Sequence, residues 1–167
     1  MSVTFLGNEV ALSGEFPQKG QKAPGFTLCN KDLSDIGLEQ FEGKKIILNI
    51  FPSVDTPTCA NSVKAFNQLA ELLQDTVVLC VSADLPFALS RFVDAEDLGS
   101  VTIASCFRSA TFAEDHGVCI SEGALRGLTS RAVIALDENH HVLYSQLVNE
   151  IADEPDYSKV AEAVKGE

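Results

Sequence analysis

Five cysteines lie in the chain, at Cys29, Cys59, Cys80, Cys106 and Cys119, and Cys59 stands apart from the other four. It closes the segment Pro52-Ser53-Val54-Asp55-Thr56-Pro57-Thr58-Cys59, which follows an apolar strand and opens a helix. Unpaired backbone N–H groups and the positive end of the helix dipole meet at such a position. A thiolate there is stabilised, so the thiol is expected to ionise below the free value of about 8.5. The hydroxyl of Thr56, three residues earlier, can accept from the thiol or donate to the thiolate. Pro52 and Pro57 stiffen the loop, and Pro52 can shield the sulfur from water. The pattern suits a nucleophilic or redox-active sulfur. The alternative is a small residue in a helix's first turn, and position and neighbours together favour reactivity. Cys80, inside Val77-Val-Leu-Cys-Val81, reads as a buried inert thiol. Cys29 near a strand end reads as inert, and Cys119 between Val118 and Ile120 as packed. Cys106, at a strand end before Phe107-Arg108, is left open.

The elements that must position these residues follow from periodicity. Val3–Leu12 alternates in pieces around Gly7-Asn8 and reads as an N-terminal hairpin, with residues 1–16 as an extension of a single domain 1–167. Phe26–Leu28 is a short strand. Lys45–Phe51 (KIILNIF) is the first buried strand, stopped by Pro52. In the helix after Cys59, apolar Val63, Phe66, Ala70 and Leu73 recur at spacings of three and four. Thr76–Ser82 is a continuous apolar strand, as in a sheet covered on both faces. Further along come a helix at Pro86–Val93, a strand at Val101–Ser105 and a helix at Ala110–His116 closed by Gly117. Arg131–Leu136 and His141–Val148 form a late hairpin, and Tyr157–Val164 a terminal helix. Strand–helix alternation predicts a parallel core, and the hairpin adds antiparallel edge strands. That order predicts an α/β, thioredoxin-like sandwich with a mixed central sheet, helices on both faces and an N-terminal β-hairpin.

Composition excludes several function classes. At 167 residues, with 46% hydrophobic and 22% charged, the chain is an ordinary globular domain rather than a disordered one. Twelve Lys+Arg against 24 Asp+Glu give a net charge of -12, which argues against nucleic acid and against an anionic membrane surface as partner. No apolar run reaches the ~18 residues of a spanning helix. Met1–Leu12 lacks a basic start and carries Asn8 and Glu9, so it reads as unprocessed and the expected compartment is the cytoplasm. No C-x-x-C or C-x-C occurs, so no zinc site is expected, nor any other metal or cofactor. A dithiol oxidoreductase is discounted because Ala60, Asn61 and Ser62 follow Cys59. A cysteine protease would need a histidine beside Cys59, and no protease-type signature surrounds that residue. His116 reads as a cation facing a helix dipole, and His140 and His141 as solvated in a turn. The acidic stretch from Asp137 to Asp156, free of Lys and Arg, reads as a solvated face.

The segment Pro52–Cys59 has the form P-x-x-x-T-x-x-C and resembles the peroxidatic signature of peroxiredoxins. Ser82-Ala-Asp-Leu-Pro-Phe87, Arg91-Phe92, Phe107-Arg108, Gly127-Leu-Thr-Ser-Arg-Ala-Val133 and Glu150 through Glu154-Pro-Asp-Tyr157 all look like the thiol peroxidase subfamily, over nearly the whole chain. The resemblance implies a peroxidase. A hydroperoxide meets the Cys59 thiolate, which is oxidised to a sulfenic acid, with Thr56, backbone N–H groups and Arg131 as the donors. Arg131 begins a core strand; apart from the resemblance, pairing with a surface carboxylate is an equal alternative. The resemblance also implies thioredoxin or another thiol as reductant, and a homodimer.

One departure stands out. The subfamily's resolving cysteine falls at Val93 here, in Ser90-Arg-Phe-Val-Asp94. Valine cannot attack a sulfenic acid. Either Cys106 or Cys119 resolves, or an external thiol reduces a one-cysteine enzyme, or Val93 is an engineered change. A non-catalytic redox sensor or binding module, oxidised at Cys59 but poorly recycled, is the alternative function.

Overall fold

The structure is a computed structural model and describes residues 1–166. Strands β1 (Ser2–Phe5) and β2 (Asn8–Ser13) form the N-terminal hairpin. β3 (Thr27–Cys29) and β4 (Asp35–Gly37) follow, then a 3-10 turn at Leu38–Phe41 and β5 (Lys45–Ile50). Helix α1 (Pro57–Leu72) leads to β6 (Thr76–Ser82), α2 (Pro86–Ala95), β7 (Thr102–Ser105) and the one-turn α3 (Phe112–Asp115). The chain ends with β8 (Cys119–Ile120), β9 (Ala132–Leu136), β10 (Val142–Leu147) and α4 (Tyr157–Lys165).

The main sheet has seven strands in the order β10-β9-β5-β6-β7-β3-β4. β5, β6 and β7 run parallel at its centre, and β9 lies antiparallel against β5. The fold is thus the expected mixed thioredoxin-like α/β sandwich. The late hairpin is not wholly an edge, however: β9 is an inner strand, all five of its residues are buried, and only β10 takes the edge. Alternate residues of β5 point to opposite layers. Ile47, with Phe51 just beyond the strand, meets Val63 and Phe66 of α1, Leu89 of α2 and Val160 of α4. Ile46, Leu48 and Ile50 meet Phe16, Phe26, Leu38 and Phe112 on the other side. All three longer helices therefore share one face. The second face is covered by α3, the 3-10 turn and the extended segment after the hairpin.

Two strands escape periodicity. β4 is short and carries Asp35 and Gly37, and β8 has two residues that become a strand only by pairing with β2 in a separate sheet, β1-β2-β8. The hairpin leaves through Gly14 and meets the end of α3 backbone to backbone. A Cβ on Gly14 would lie 1.9 Å from the Glu114 carbonyl oxygen, and one on Gly117 would lie 2.3 Å from the Phe16 nitrogen. Glycine is required at both places, where φ is also positive.

His116 corrects its sequence reading. It is fully buried, its ring stacked 4.3 Å from Phe112, with Nδ1 2.8 Å from the Phe112 carbonyl oxygen. Burial pushes its pKa below the ordinary value, against the opposing pull of the Phe112 carbonyl and Asp115. The folded protein therefore holds a neutral ring, not a cation at a helix end. An unfolded histidine titrates near ~6.5, so this contribution to stability is complete above that pH. It is lost as pH falls through the lower folded value. Urea unfolding should show stability falling as pH drops below about 6.5, where the unfolded histidine takes up a proton. His116→Phe should flatten that decline; an unchanged slope in the variant would show that His116 does not cause it.

Candidate active site

The loop from β5 to α1 is built to hold the first turn of the helix. Pro57 occupies the first helical position and Thr56 the N-cap, which places Cys59 third in the helix. The Asp84 carboxylate, just beyond β6, clamps the loop from the far side. It accepts from the Ser53 hydroxyl at 2.7 Å, the Val54 N–H at 2.9 Å and the Ser82 hydroxyl at 2.6 Å. Below the helix, the Asn49 amide donates to Ser62 Oγ at 3.3 Å, and the Ser62 hydroxyl donates to the Cys59 carbonyl at 2.8 Å. Asn49 is fully buried, the one polar residue inside the buried run 46–50. That polar residue inside KIILNIF was the available signal for it. Asp84 had none beyond its place in a matched motif.

Cys59 is fully buried, and Arg131 reaches it: Nη2 donates to Sγ at 3.1 Å. Arg131 is itself only 2% exposed. Its Nε donates to the Ile151 carbonyl at 2.7 Å, and its buried Nη1 has no hydrogen-bond partner. Among the described residues it forms no salt bridge, so the surface-carboxylate alternative is set aside. A charge this deep requires compensation. The sulfur and the Ile151 carbonyl supply part of it, leaving one donor open.

Thr56 departs from its expected role at the sulfur. Its hydroxyl donates to the Ser53 carbonyl at 3.0 Å, because the N-cap residue is extended and its side chain folds back over the turn that begins at Ser53. Thr56, buried Pro52 and Arg131 nevertheless line one pocket of about 280 Å³, together with Phe5, Leu128 and Ile151. Cys59, Thr56, Pro52 and Arg131 are thus brought to one place, with the guanidinium joining the sulfur to the pocket.

The other cysteines lie apart from this arrangement. Cys80 is buried in the middle of β6, and desolvation pushes its thiol up to about 12. Cys106 packs in the layer on the opposite side of the sheet from Cys59, and burial pushes it up to about 11. Cys29 is buried with Sγ 3.6 Å from the Asn30 carbonyl oxygen. Cys119 is half-buried rather than fully packed, since its two-residue strand lies in the small outer sheet. Val93 is buried in α2. His116 lies in the layer away from Cys59, beside Phe26 and Phe112, so it cannot serve the sulfur as a base. His140 is half-buried and His141 exposed. No helix is long and apolar enough to cross a membrane among the described residues.

The chain is similar to known proteins over nearly its whole length. A thiol peroxidase of Vibrio cholerae is 53% identical over 160 residues, covering 96% of this chain and 98% of that protein. A thiol peroxidase of Corynebacterium glutamicum is 51% identical over 160 residues, covering 96% of each chain. The crystal structure of a peroxiredoxin-like protein from Aquifex aeolicus superimposes with a TM-score of 0.93 at 38% identity, covering 99% of this chain and 96% of that one. The Redoxin family model matches residues 18–162, and with these relatives spanning almost its whole length the chain belongs to the redoxin family.

Proposed function

We propose that the protein is a thiol-dependent peroxidase that reduces hydrogen peroxide and organic hydroperoxides through Cys59. The observation that carries this reading is the buried guanidinium 3.1 Å from the Cys59 sulfur, with a second donor, Nη1, unpaired beside it. A fixed positive charge in a poorly solvated site holds a thiolate by Coulomb attraction. The sulfur lone pair attacks one oxygen of the peroxide. The O–O bond breaks, the S–O bond forms, and the departing oxygen leaves as an alkoxide or hydroxide that takes a proton. Negative charge grows on that oxygen, and a pre-placed N–H donor lowers the barrier where it grows. Arg131 serves both ends, Nη2 toward sulfur and Nη1 toward the oxygen. Pro52 excludes water, and Thr56 borders the entrance. Phe5, Leu128 and Ile151 make the wall largely apolar, which suits the carbon end of an organic hydroperoxide.

Recycling follows from where the remaining thiols lie. Cys80 and Cys106 are buried with raised pKa values, which leaves little thiolate to attack a sulfenic acid. Cys119 sits in the small outer sheet β1-β2-β8, apart from the helix layer that holds Cys59. The reading is therefore a one-cysteine cycle. An external thiol, thioredoxin or a smaller one, attacks the sulfenic acid, releases water and leaves a mixed disulfide on Cys59. A second thiol then displaces Cys59 as the thiolate. We read the chain as a single domain, 1–167, that works as a homodimer in the cytoplasm.

Intact-mass spectrometry after one equivalent of hydroperoxide tests this. The expected product is the gain of one oxygen, mapped to Cys59 and reversed by excess thiol over many turnovers. Loss of two hydrogens with a Cys59–Cys106 or Cys59–Cys119 disulfide would refute the one-cysteine cycle. Arrest after one equivalent, with dithiothreitol, glutathione and thioredoxin all present, would replace the enzyme by a redox sensor.

A further inference from the structure

Glu150 falls in the acidic stretch expected to be a solvated face, yet its carboxylate is saturated. It accepts from the Ala152 N–H at 2.8 Å, the Gly7 N–H at 2.9 Å, the Leu6 N–H at 3.2 Å and the Thr4 hydroxyl at 3.1 Å. These bonds hold its carboxyl below the usual carboxylate range, with the Ala152 and Gly7 amides as the largest causes. Leu6 and Gly7 form the turn of the N-terminal hairpin, both with positive φ, 52° and 83°. A leucine rarely adopts that conformation. Here it aims two successive N–H groups at one carboxylate, in the manner of an anion-binding nest.

The same contact continues inward. The Thr4 N–H donates to the Asn149 carbonyl at 2.7 Å, and the Ile151 N–H donates to the Thr4 carbonyl at 2.8 Å. The Ile151 carbonyl is the acceptor for Arg131 Nε, and the Ala152 carbonyl accepts from the Thr58 hydroxyl at 2.9 Å, one residue before Cys59. Phe5, which follows Thr4, faces the pocket. One segment, Asn149–Ala152, therefore touches the hairpin, the guanidinium and the first turn of α1 together.

We infer that Glu150 is a positioning residue: it registers the N-terminal hairpin against Asn149–Ala152, and so sets the Arg131 guanidinium and the Phe5 wall as one unit. The hairpin is then part of the active site rather than an appendage of the fold. Its kinetic consequence rests on the peroxidase reading. A misplacement of about 1 Å in a positioning group can cost on the order of a hundredfold in rate.

Full-length Glu150→Ala and Glu150→Gln, checked for folding by thermal unfolding, decide the matter. With dithiothreitol as reductant, kcat/KM should fall between about tenfold and a hundredfold for both hydrogen peroxide and cumene hydroperoxide in Glu150→Ala. Glu150→Gln should be intermediate, because one end of the amide keeps an acceptor while the other is a donor facing N–H groups. Alkylation of Cys59 by iodoacetamide should slow in the same order. Glu9→Gln, an exposed carboxylate on the same hairpin, should behave as wild type. A folded Glu150→Ala with wild-type peroxide kinetics and wild-type alkylation would overturn the inference, as would an equal loss in Glu9→Gln. Should Glu150→Ala not fold, Glu150→Gln carries the same comparison. If the wild-type protein consumes no hydroperoxide, the peroxidase reading fails alone, and alkylation of Cys59 still decides the role of Glu150.

Discussion

Cys59→Ser is expected to reduce hydroperoxide turnover by more than about 10³-fold while leaving the protein folded. The loss follows from the element exchanged. Sulfur is polarisable and a far better nucleophile toward a peroxide oxygen than a hydroxyl, and here the Arg131 guanidinium donates to it directly. A serine hydroxyl in the same place has no base to take its proton, since His116 lies on the far side of the sheet. Folding should survive because serine is similar in size and still offers Arg131 an acceptor, so the buried guanidinium keeps its polar surroundings. Peroxide consumption with dithiothreitol and a urea titration measure the two halves separately. Sustained consumption by the folded serine variant would remove Cys59 from the reaction and move attention to Cys106 or Cys119.

Arg131→Met separates catalysis from stability in the opposite way. Removing one pre-placed donor from a developing oxyanion costs about 10²–10³ in rate, and here the same change also strips the cation from beside the sulfur. Activity should fall by at least that factor. Stability should change little, because two effects oppose. The Ile151 carbonyl loses its Nε donor, and an unpaired buried acceptor costs about 1–3 kcal/mol. Against that, the variant no longer desolvates a guanidinium, a penalty of about several kcal/mol per buried ion. Methionine also fills much of the same apolar path. Arg131→Lys should recover only part of the activity, since an ammonium is a point charge without the fork that addresses sulfur, carbonyl and pocket at once. Steady-state kinetics beside thermal unfolding read the split. A folded Arg131→Met enzyme with wild-type kcat/KM would show that the guanidinium is a structural filler.

The two substitutions rest on parts of the molecule that were unequally legible from the amino-acid order. Cys59 could be singled out because its signals are local: a strand, two prolines, a capping threonine and a helix start, all within a short segment. The central strands were legible for the same reason, and Thr76–Ser82 has the bounds that its apolar run suggests. The helix after Cys59 buries Val63 and Phe66 as its spacing implies, while Ala70 is only half-buried and Leu73 falls just past the helix end. Short elements were not: β8 is a strand only through its distant partner β2, and β4 is too short, with Asp35 and Gly37 in it, to show a period even though its partner β3 is close in sequence. Thr56 lines the pocket, but its hydroxyl has an acceptor in the Ser53 carbonyl that sequence separation cannot rank against the sulfur.

What the amino-acid order determined by itself was the chemistry available: one sulfur at a helix start, a rigid loop ahead of it, and an apolar alternation that forms a mixed sheet. What the tertiary structure decided was which polar groups meet. Arg131 lies 72 residues from Cys59 in sequence, and Glu150 lies 143 from Gly7, yet each pair is in hydrogen-bond contact. The physical reason is that periodicity is a property of one segment and reports only which face is buried. The partner of a charge is chosen by strand order, by the layer into which alternate residues point, and by the cost of leaving a buried polar group alone. Tertiary placement likewise brings Glu150, from a stretch that reads as solvated by composition, onto the turn of the N-terminal hairpin.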